Sequence, residues 1–596
     1  MSTHVVATAG HVDHGKSTLI HALTGMEPDR WEEERRRGLT IDLGFAWTTL
    51  PSGRQVAFVD VPGHHRFLGN TLAGLGPAPV VCFVVAADEG WQAQSDDHRD
   101  AAAALGIRHG LIVITRADRA PERAAEALAR ARAELADTGL RGAPSVIVSA
   151  VTGTGLADLR TALDGVLAQV PAPETTARVR LWVDRSFTIT GAGTVVTGTL
   201  SAGTLAVGER LELPTASRTR SATIRGLQSC GQPYPTLAPV ARVALNLRGV
   251  PRDAVRRGDA LLTPDAWPST RLLDVRRISG GPWGEAPTQL IAHVGTAAVP
   301  VRLRPFDDDH GRLTLDRNLP LVLGDRLVLR DPGSVRLLGG AEVLDAEPPA
   351  LRRRGDSARR AAALVRSGAG GDVEVEVARR GAVRETHLRR LGLRPQTVPA
   401  HILAFDGWWV HGPTYETWQR RLRAAVDEVR ARDPLSDGLS RGAARDLLAL
   451  PDEALLDGVV HAAGLEQQGG TIRLPGTRSD LGGAEASVNE LETRLRAEPF
   501  RAPEAYELQA LNLGSRELAA AERAGRLLRL GDGVVLLPNA PALAMRALAT
   551  LEQPFTTSQA RQALSTTRRV VIPLLEHLDA RGWTRRLDAG HREIAR

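Results

Sequence analysis

Lysine is all but absent from these 596 residues: of 75 basic side chains, 74 are arginine, and the one lysine is Lys16. Cysteine is nearly as scarce. Cys82 and Cys230 sit in no metal-ligand or redox spacing, which excludes a disulfide framework and reads as two inert thiols in a reducing cytoplasm. Long apolar runs are missing too. None reaches the roughly 18 residues a membrane helix needs, and the start MSTHVVATAG lacks the basic-then-apolar pattern of a secretory signal. The expectation is a cytoplasmic protein with no membrane partner. A net charge of +6 and a pI near 10.1 tilt toward an anionic partner such as nucleic acid, although arginine's high pKa inflates that pI.

What is present is organised in blocks, as a chain too long for one core must be. The runs VVATAG, QVAFVDVPG, VVCFVVAAD, GLIVITRAD and PSVIVSA alternate with Ala/Arg/Glu-rich helical stretches, which predicts an α/β domain over 1–172. After the linker VPAPETTARVR, Val/Leu/Thr-rich segments broken by Gly, Pro and Asp predict two β-barrels, 173–267 and 268–350. The last third repeats: helices, then a short β-like run broken by a glycine. Gly407, Gly470, Gly533 and Gly590 mark four units, which the spacing predicts as winged helices over 351–411, 412–477, 478–538 and 539–596. Each unit is expected to carry its own small core.

GHVDHGKST, residues 10–18, explains the lone lysine. Gly10, Gly15, Lys16 and Ser17 fit a phosphate loop between a strand and a helix, where backbone N–H groups and the helix dipole favour an anion. Lys16 must reach the β- and γ-phosphates through a tight loop. A compact ammonium on a thin stem passes; the wide planar guanidinium does not. Asp13, His14 and Thr18 complete the expected GTP/GDP-binding stretch. Ser17, Thr40 and, through water, Asp60 are candidates to hold Mg²⁺, and the Gly63 N–H can bond the γ-phosphate. His64, directly after D-x-P-G, is the candidate to orient or polarise the attacking water. Asp118 of TRAD can accept from guanine N1–H and the N2 amino group, with Ser149 and the Ala150 backbone near O6.

GHVDHGKST, RGLTID, DVPGH and GAGTVVTGTL resemble the translational GTPases related to elongation factor Tu over about 350 residues. Within that group the sequence is similar to the bacterial selenocysteine-specific elongation factors. Thr115 stands where most relatives have asparagine, DRSFTITGAGTVVTGT and ARVALNL match, and the winged-helix array is typical of that family. The resemblance implies a ribosome-stimulated GTPase that carries selenocysteinyl-tRNA to UGA codons marked by an mRNA SECIS hairpin, as a monomer. Two other readings stay open: a carrier of an initiator-type tRNA, and an RNA-binding scaffold with a vestigial GTPase. Thr115 is shorter than asparagine and has no amide to tie the base loop to the phosphate loop, so GDP is expected to leave without an exchange factor.

A selenol is far more acidic than an alcohol, so a factor that rejects seryl-tRNA should offer cationic donors that serine cannot match. The resemblance places these at Arg185 and Arg242, with Asp42 nearby. The last unit is the basic one: residues 551–596 hold eight arginines against five acids. Its second helix, with Val571, Leu574, Leu575 and Leu578 on one face, is expected to turn Arg568 and Arg569 outward toward RNA phosphates, with Arg585 and Arg586 on the following wing. Pro573 is expected either to mark a later helix start or to impose a kink.

Overall fold

The computed structural model describes residues 3–28, 40–191, 193–215, 218–333, 337–366, 371–433, 435–436, 438–476 and 481–595. Of RGLTID, residues 37–39 lie outside the described residues, as do residues 477 and 478 at one expected boundary. The chain forms two compact units. One is residues 1–379 with 384–400 and 405–408; the other is 380–383, 401–404 and 409–596.

The first unit opens with a six-stranded sheet. Strands β1 (Thr3–Ala9), β3 (Gln55–Asp60), β4 (Val80–Ala86), β5 (His109–Thr115) and β6 (Ser145–Ile147) are the five apolar runs read from the sequence; β2 (Gly44–Thr49) is the addition. The order is β2-β3-β1-β4-β5-β6, parallel except for β2. Strand β4 is buried along its whole length, as the continuous apolar run of a doubly covered parallel sheet requires. Helices α1 (Lys16–Thr24), α2 (Leu68–Leu75), α3 (Ala93–Leu105), α4 (Ala124–Glu134) and α5 (Leu156–Gln169) cover its faces. The loops that leave the carboxyl ends of β1, β3 and β5 carry the candidate site, as the geometry of open α/β sheets favours.

Two barrels follow. Strands Arg180–Ile189, Gly193–Leu200, Ala241–Arg248, Thr219–Ser229, Arg210–Pro214 and Ala260–Leu262 pair in that order, and the last returns to the first. The second closed barrel runs Thr270–Arg277, His310–Leu319, Ala297–Pro305, Gln289–Val294, Arg326–Arg330 and Leu337–Asp345. Along Ala297–Pro305 buried and exposed residues alternate, the period of two that a barrel wall needs. Val328 and Leu337 of this barrel pack into the same core as Ala101, Ala102 and Ala104 of α3.

In the second unit, short helices alternate with small antiparallel sheets. Strands Leu439–Ser440, Thr471–Arg473 and Glu466–Gln468 form one, Leu528–Arg529 and Val535–Leu536 another, and Phe555–Thr556, His591–Ile594 and Thr584–Arg586 a third. The last helix runs without a break from Arg568 to Ala580 with Pro573 inside and buried. The expectation of a separate core per repeat is corrected here. Leu481 to Leu578 contribute to one continuous core, in which Val488, Leu491 and Leu536 join Phe555, Val571 and Leu575. Sixty residues bury too little surface to hold a core comfortably alone, and pooling two repeats removes the deficit.

Candidate functional site

The phosphate loop hangs between β1 and α1. Gly10 has φ 127°, and a Cβ there would meet the Val84 carbonyl oxygen at 2.1 Å, so only glycine fits. Lys16 is buried, and its Nζ donates to the carbonyls of Gly10 at 3.0 Å and His11 at 2.6 Å. Gly63 arrives from the end of β3, and a Cβ there would come 2.4 Å from the Val12 nitrogen and 2.6 Å from Lys16 Nζ. The ammonium therefore sits in a space closed by backbone on three sides. The cleft in front of it, about 580 Å³, is lined by Asp13, Gly15, Ser17, Thr18, Thr40, Gly63, Thr115, Asp118 and Ala150 among others.

Ser17, Thr40 and Asp60 converge. Ser17 Oγ donates to Asp60 Oδ2 at 2.7 Å and lies 3.1 Å from Thr40 Oγ1. Behind them Thr8 Oγ1 donates to Asp60 Oδ1 at 2.7 Å and accepts the Val61 N–H at 3.1 Å, which fixes the carboxylate plane. Two hydroxyls and one carboxylate are hard oxygen donors, too few to cage a cation alone. They suit Mg²⁺, which takes one or two protein oxygens together with phosphate and water. Among the described residues no group of three or more His, Cys, Asp or Glu could hold a different metal.

On the base side, the Ser149 hydroxyl hydrogen-bonds the Asp118 carboxylate and holds its pKa below the ordinary value. Asp118 is exposed and so faces the cleft as an anion; Val151, 79% exposed, stands beside it. Arg116 of TRAD pairs with Asp88 at 3.2 Å and Glu89 at 2.6 Å and donates to the Asp13 carbonyl. The reading of Thr115 is corrected. Its hydroxyl donates to the His14 carbonyl at 2.6 Å, so the base loop is tied to the phosphate loop after all. Thr115→Val, which keeps the shape, leaves a buried carbonyl unpaired, a cost of about 1–3 kcal/mol. GDP release from that variant should be about tenfold faster, as read by stopped flow with a fluorescent GDP.

His64 lies at the head of a short 3₁₀ turn, His65–Phe67. Its Nδ1 accepts the Arg66 N–H at 3.2 Å and its ring stacks on His65 at 4.2 Å, which leaves Nε2 for a water. Burial first, then His65 and Arg66, lower its pKa, so the ring is neutral at pH 7. It is not among the residues lining the cleft.

Two residues of α3 escaped the sequence reading. His98 Nδ1 accepts the Gly10 N–H at 3.0 Å, and Gln94 Oε1 accepts the Val12 N–H at 3.1 Å. Burial, with Lys16 and His11, pushes the His98 pKa down to about 3, which keeps the nitrogen an acceptor. Their spacing of four on one helix face was the available signal. His14, fully buried, is likewise held neutral, near 3, by burial and by His11 and Lys16.

A second cavity, about 150 Å³, lies between β2–β3 and the first barrel. Arg185 and Arg242 both line it, with Phe45, Trp47, Phe187 and Cys230. Their guanidiniums stack on Phe45 at 4.7 and 3.9 Å from the ring centre. Arg185 pairs with Asp42 at 3.5 Å, Arg257 with the same carboxylate at 3.1 Å, and Arg242 with buried Asp184 at 2.5 Å. The sequence brought out Asp42, Arg185 and Arg242 but not Phe45, Asp184 or Arg257. Arg185 and Arg242 are thus the charged side chains lining the cavity, each held from behind by a carboxylate. Burial raises the Cys230 pKa and pushes that of Cys82 up to about 12, so both thiols are protonated.

In the last repeat Arg568 is exposed, as expected, but Arg569 is not turned outward. Its guanidinium donates to the carbonyls of Ala502 at 3.2 Å and Pro503 at 3.0 Å and pairs with Glu504 at 3.1 Å. The neighbouring repeat, packed on the same core, claims it. Arg585 pairs with Glu593, and Arg586 donates to the Asp588 carbonyl at 2.9 Å, both on the exposed wing.

Comparisons with known proteins agree with this geometry. Residues 1–169 match the elongation factor Tu GTP binding domain and 193–262 elongation factor Tu domain 2. Residues 286–350 match the β-barrel domain of the selenocysteine-specific elongation factor, and 546–592 the winged helix of elongation factor SelB. The chain is similar to the selenocysteine-specific elongation factors of Escherichia coli (31% identical, 98% of both chains) and Desulfomicrobium baculatum (29% identical, 98% of both). Its fold is similar to the crystal structure of a bacterial selenocysteine-specific elongation factor, with a TM-score of 0.77 and 27% identity over the full length of both chains.

Proposed function

The chain belongs to the selenocysteine-specific elongation factors, translational GTPases with two β-barrels and a C-terminal winged helix, and from that premise we propose that it carries selenocysteinyl-tRNA to the ribosome at UGA codons marked by a SECIS hairpin. The observation that carries this reading is the cavity between β2–β3 and the first barrel. A selenolate there would meet two guanidiniums and an aromatic wall, whereas a serine hydroxyl neither needs the charge nor fills the apolar space. Asp42 lies two residues beyond Thr40, so the charge balance of this cavity follows the segment that orders around the γ-phosphate.

GTP or GDP occupies the cleft before Lys16, with Asp118, Ser149 and Ala150 selecting guanine. Ser17, Thr40 and Asp60 would hold Mg²⁺, which would supply positive charge against the phosphates. Lys16 adds its ammonium there, the Gly63 N–H bonds the γ-phosphate, and His64 places the attacking water when the ribosome engages the factor. The closed loop geometry and the paired Ser17–Asp60 argue against a vestigial GTPase. The helices and glycine-broken sheets of the last third support four winged helices, working as a monomer in the cytoplasm, of which the last grips the hairpin.

The test is equilibrium binding of selenocysteinyl- and seryl-tRNA on one tRNA body. Arg185→Ala should weaken the selenocysteinyl form by about 1.5–3 kcal/mol, the range for a hydrogen bond to a charged group, and leave the seryl form unchanged. Arg242→Lys is the gentler companion, because removing that charge outright strands buried Asp184. Equal losses for both aminoacyl forms would assign these arginines to the tRNA backbone instead.

A further inference from the structure

The last repeat holds an aromatic that nothing above uses. Helix Arg568–Ala580 turns Val570, Val571, Leu574, Leu575 and Leu578 into the shared core. Three residues beyond its end comes Trp583, which stays out of that core and is 37% exposed. Its backbone is fixed on both sides: the N–H donates to the Leu578 carbonyl at 3.0 Å, and the carbonyl accepts the Ala595 N–H at 3.0 Å. The backbone that carries the indole is therefore fixed at the junction of helix and wing. The Arg581 guanidinium lies 5.6 Å from the ring centre. Most arginines nearby are spoken for: Arg592 by Asp579 at 2.9 Å, Arg585 by Glu593, Arg586 by wing carbonyls. Among the described residues no carboxylate lies within ion-pair distance of Arg581.

A part-exposed indole with a guanidinium loosely over its ring, and no acid against that guanidinium, on a repeat of net charge +3, suits one kind of partner. A base supplies the flat surface to stack on the indole and its phosphate the charge for the arginine. A basic peptide would be repelled by Arg581, and a base inside a duplex has no free face. We infer that Trp583 is a stacking platform for one unpaired base of an RNA loop, with Arg581 at a phosphate of the same strand. This rests on the hairpin reading above and moves its centre. Arg569, locked onto the neighbouring repeat, drops out of the RNA face, and Trp583 and Arg581 enter it.

The test uses the full chain and a library of RNA hairpins with one paired stem and a randomised loop, selected on the wild-type protein. The selected hairpin and a fully paired duplex of the same stem are then titrated by fluorescence anisotropy. Trp583→Ala should weaken the hairpin about tenfold or more, the scale of one lost base–aromatic stack, and leave the duplex unchanged. Trp583→Phe should stay within a few-fold of wild type, while Trp583→Leu, which keeps apolar volume without the ring, should behave like alanine. Arg581→Ala should lower the salt slope of hairpin binding by about one. An abasic nucleotide at one loop position should cost wild type the same factor and cost Trp583→Ala nothing more. If the library yields no loop that binds better than the duplex, the hairpin reading fails and this inference with it. If a loop is selected and the alanine and leucine variants bind it as wild type does, the inference alone is overturned.

Discussion

Lys16→Arg should abolish nucleotide binding while the net charge stays the same. In the folded chain the ammonium donates to the carbonyls of Gly10 and His11, and Gly63 stands so close above it that even a methyl group there would collide. A guanidinium brings a broad plane of three nitrogens where a single nitrogen sat, and none of the three backbone walls can retreat without opening the phosphate loop. Two charge-assisted hydrogen bonds from the ammonium to the phosphates, at about 1.5–3 kcal/mol each, correspond to roughly 10²–10⁴-fold in affinity. Titration of the folded variant with fluorescent GDP and GTP measures it. Binding within a few-fold of wild type would mean that the loop does have room, and that the lone lysine is an accident of composition. In a chain that uses arginine 74 times elsewhere, the experiment also asks whether shape alone retained it.

His64→Ala should leave GTP and tRNA affinity nearly intact and slow ribosome-stimulated single-turnover hydrolysis by about 10²-fold or more, the scale of a positioned catalytic group. Its Nδ1 is occupied by the Arg66 N–H, and the ring is absent from the cleft lining, so the proposed role would need the turn at His65–Phe67 to swing Nε2 toward the γ-phosphate. The pH profile follows from the charge state. A pKa below the ordinary 6.5 keeps the imidazole neutral through neutral pH. The wild-type rate should therefore be flat between pH 7 and 8 and fall only below the ordinary histidine range, as the ring protonates and ceases to accept. A hydrolysis rate on ribosomes that His64→Ala leaves unchanged would reassign the residue to holding the turn.

Residues whose chemistry is written in local pattern were legible in the sequence, and residues whose role is set by packing were not. The five apolar strands, the phosphate loop and the convergence of Ser17 with Asp60 follow from periodicity and motif spacing. Thr115 was misread because a side chain's length says nothing of how far β5 carries it toward the His14 carbonyl; the 2.6 Å contact is a property of the sheet. Arg569 was misread for a related reason. A helical wheel separates core from surface within one repeat, but here the surface of one repeat is the interior of a pair. Asp184 meets Arg242 only through the fold of the first barrel, and Arg257 meets Asp42 only where that barrel abuts the α/β domain.

The core that runs from Leu481 to Leu578 has a consequence for how the chain breathes. Two repeats that share an interior cannot open independently, because parting them exposes Phe555, Val571 and Leu575 to water along with Val488 and Leu491. Amide hydrogens across 481–595 should then exchange as a single cooperative block rather than as two of different protection. A pull applied by RNA at the C-terminal wing is therefore not absorbed between these two repeats. It passes through both repeats together to the segment at Asp433 and Leu435, which pairs with Arg516 and packs on the same core, so the last two repeats act as one stiff handle.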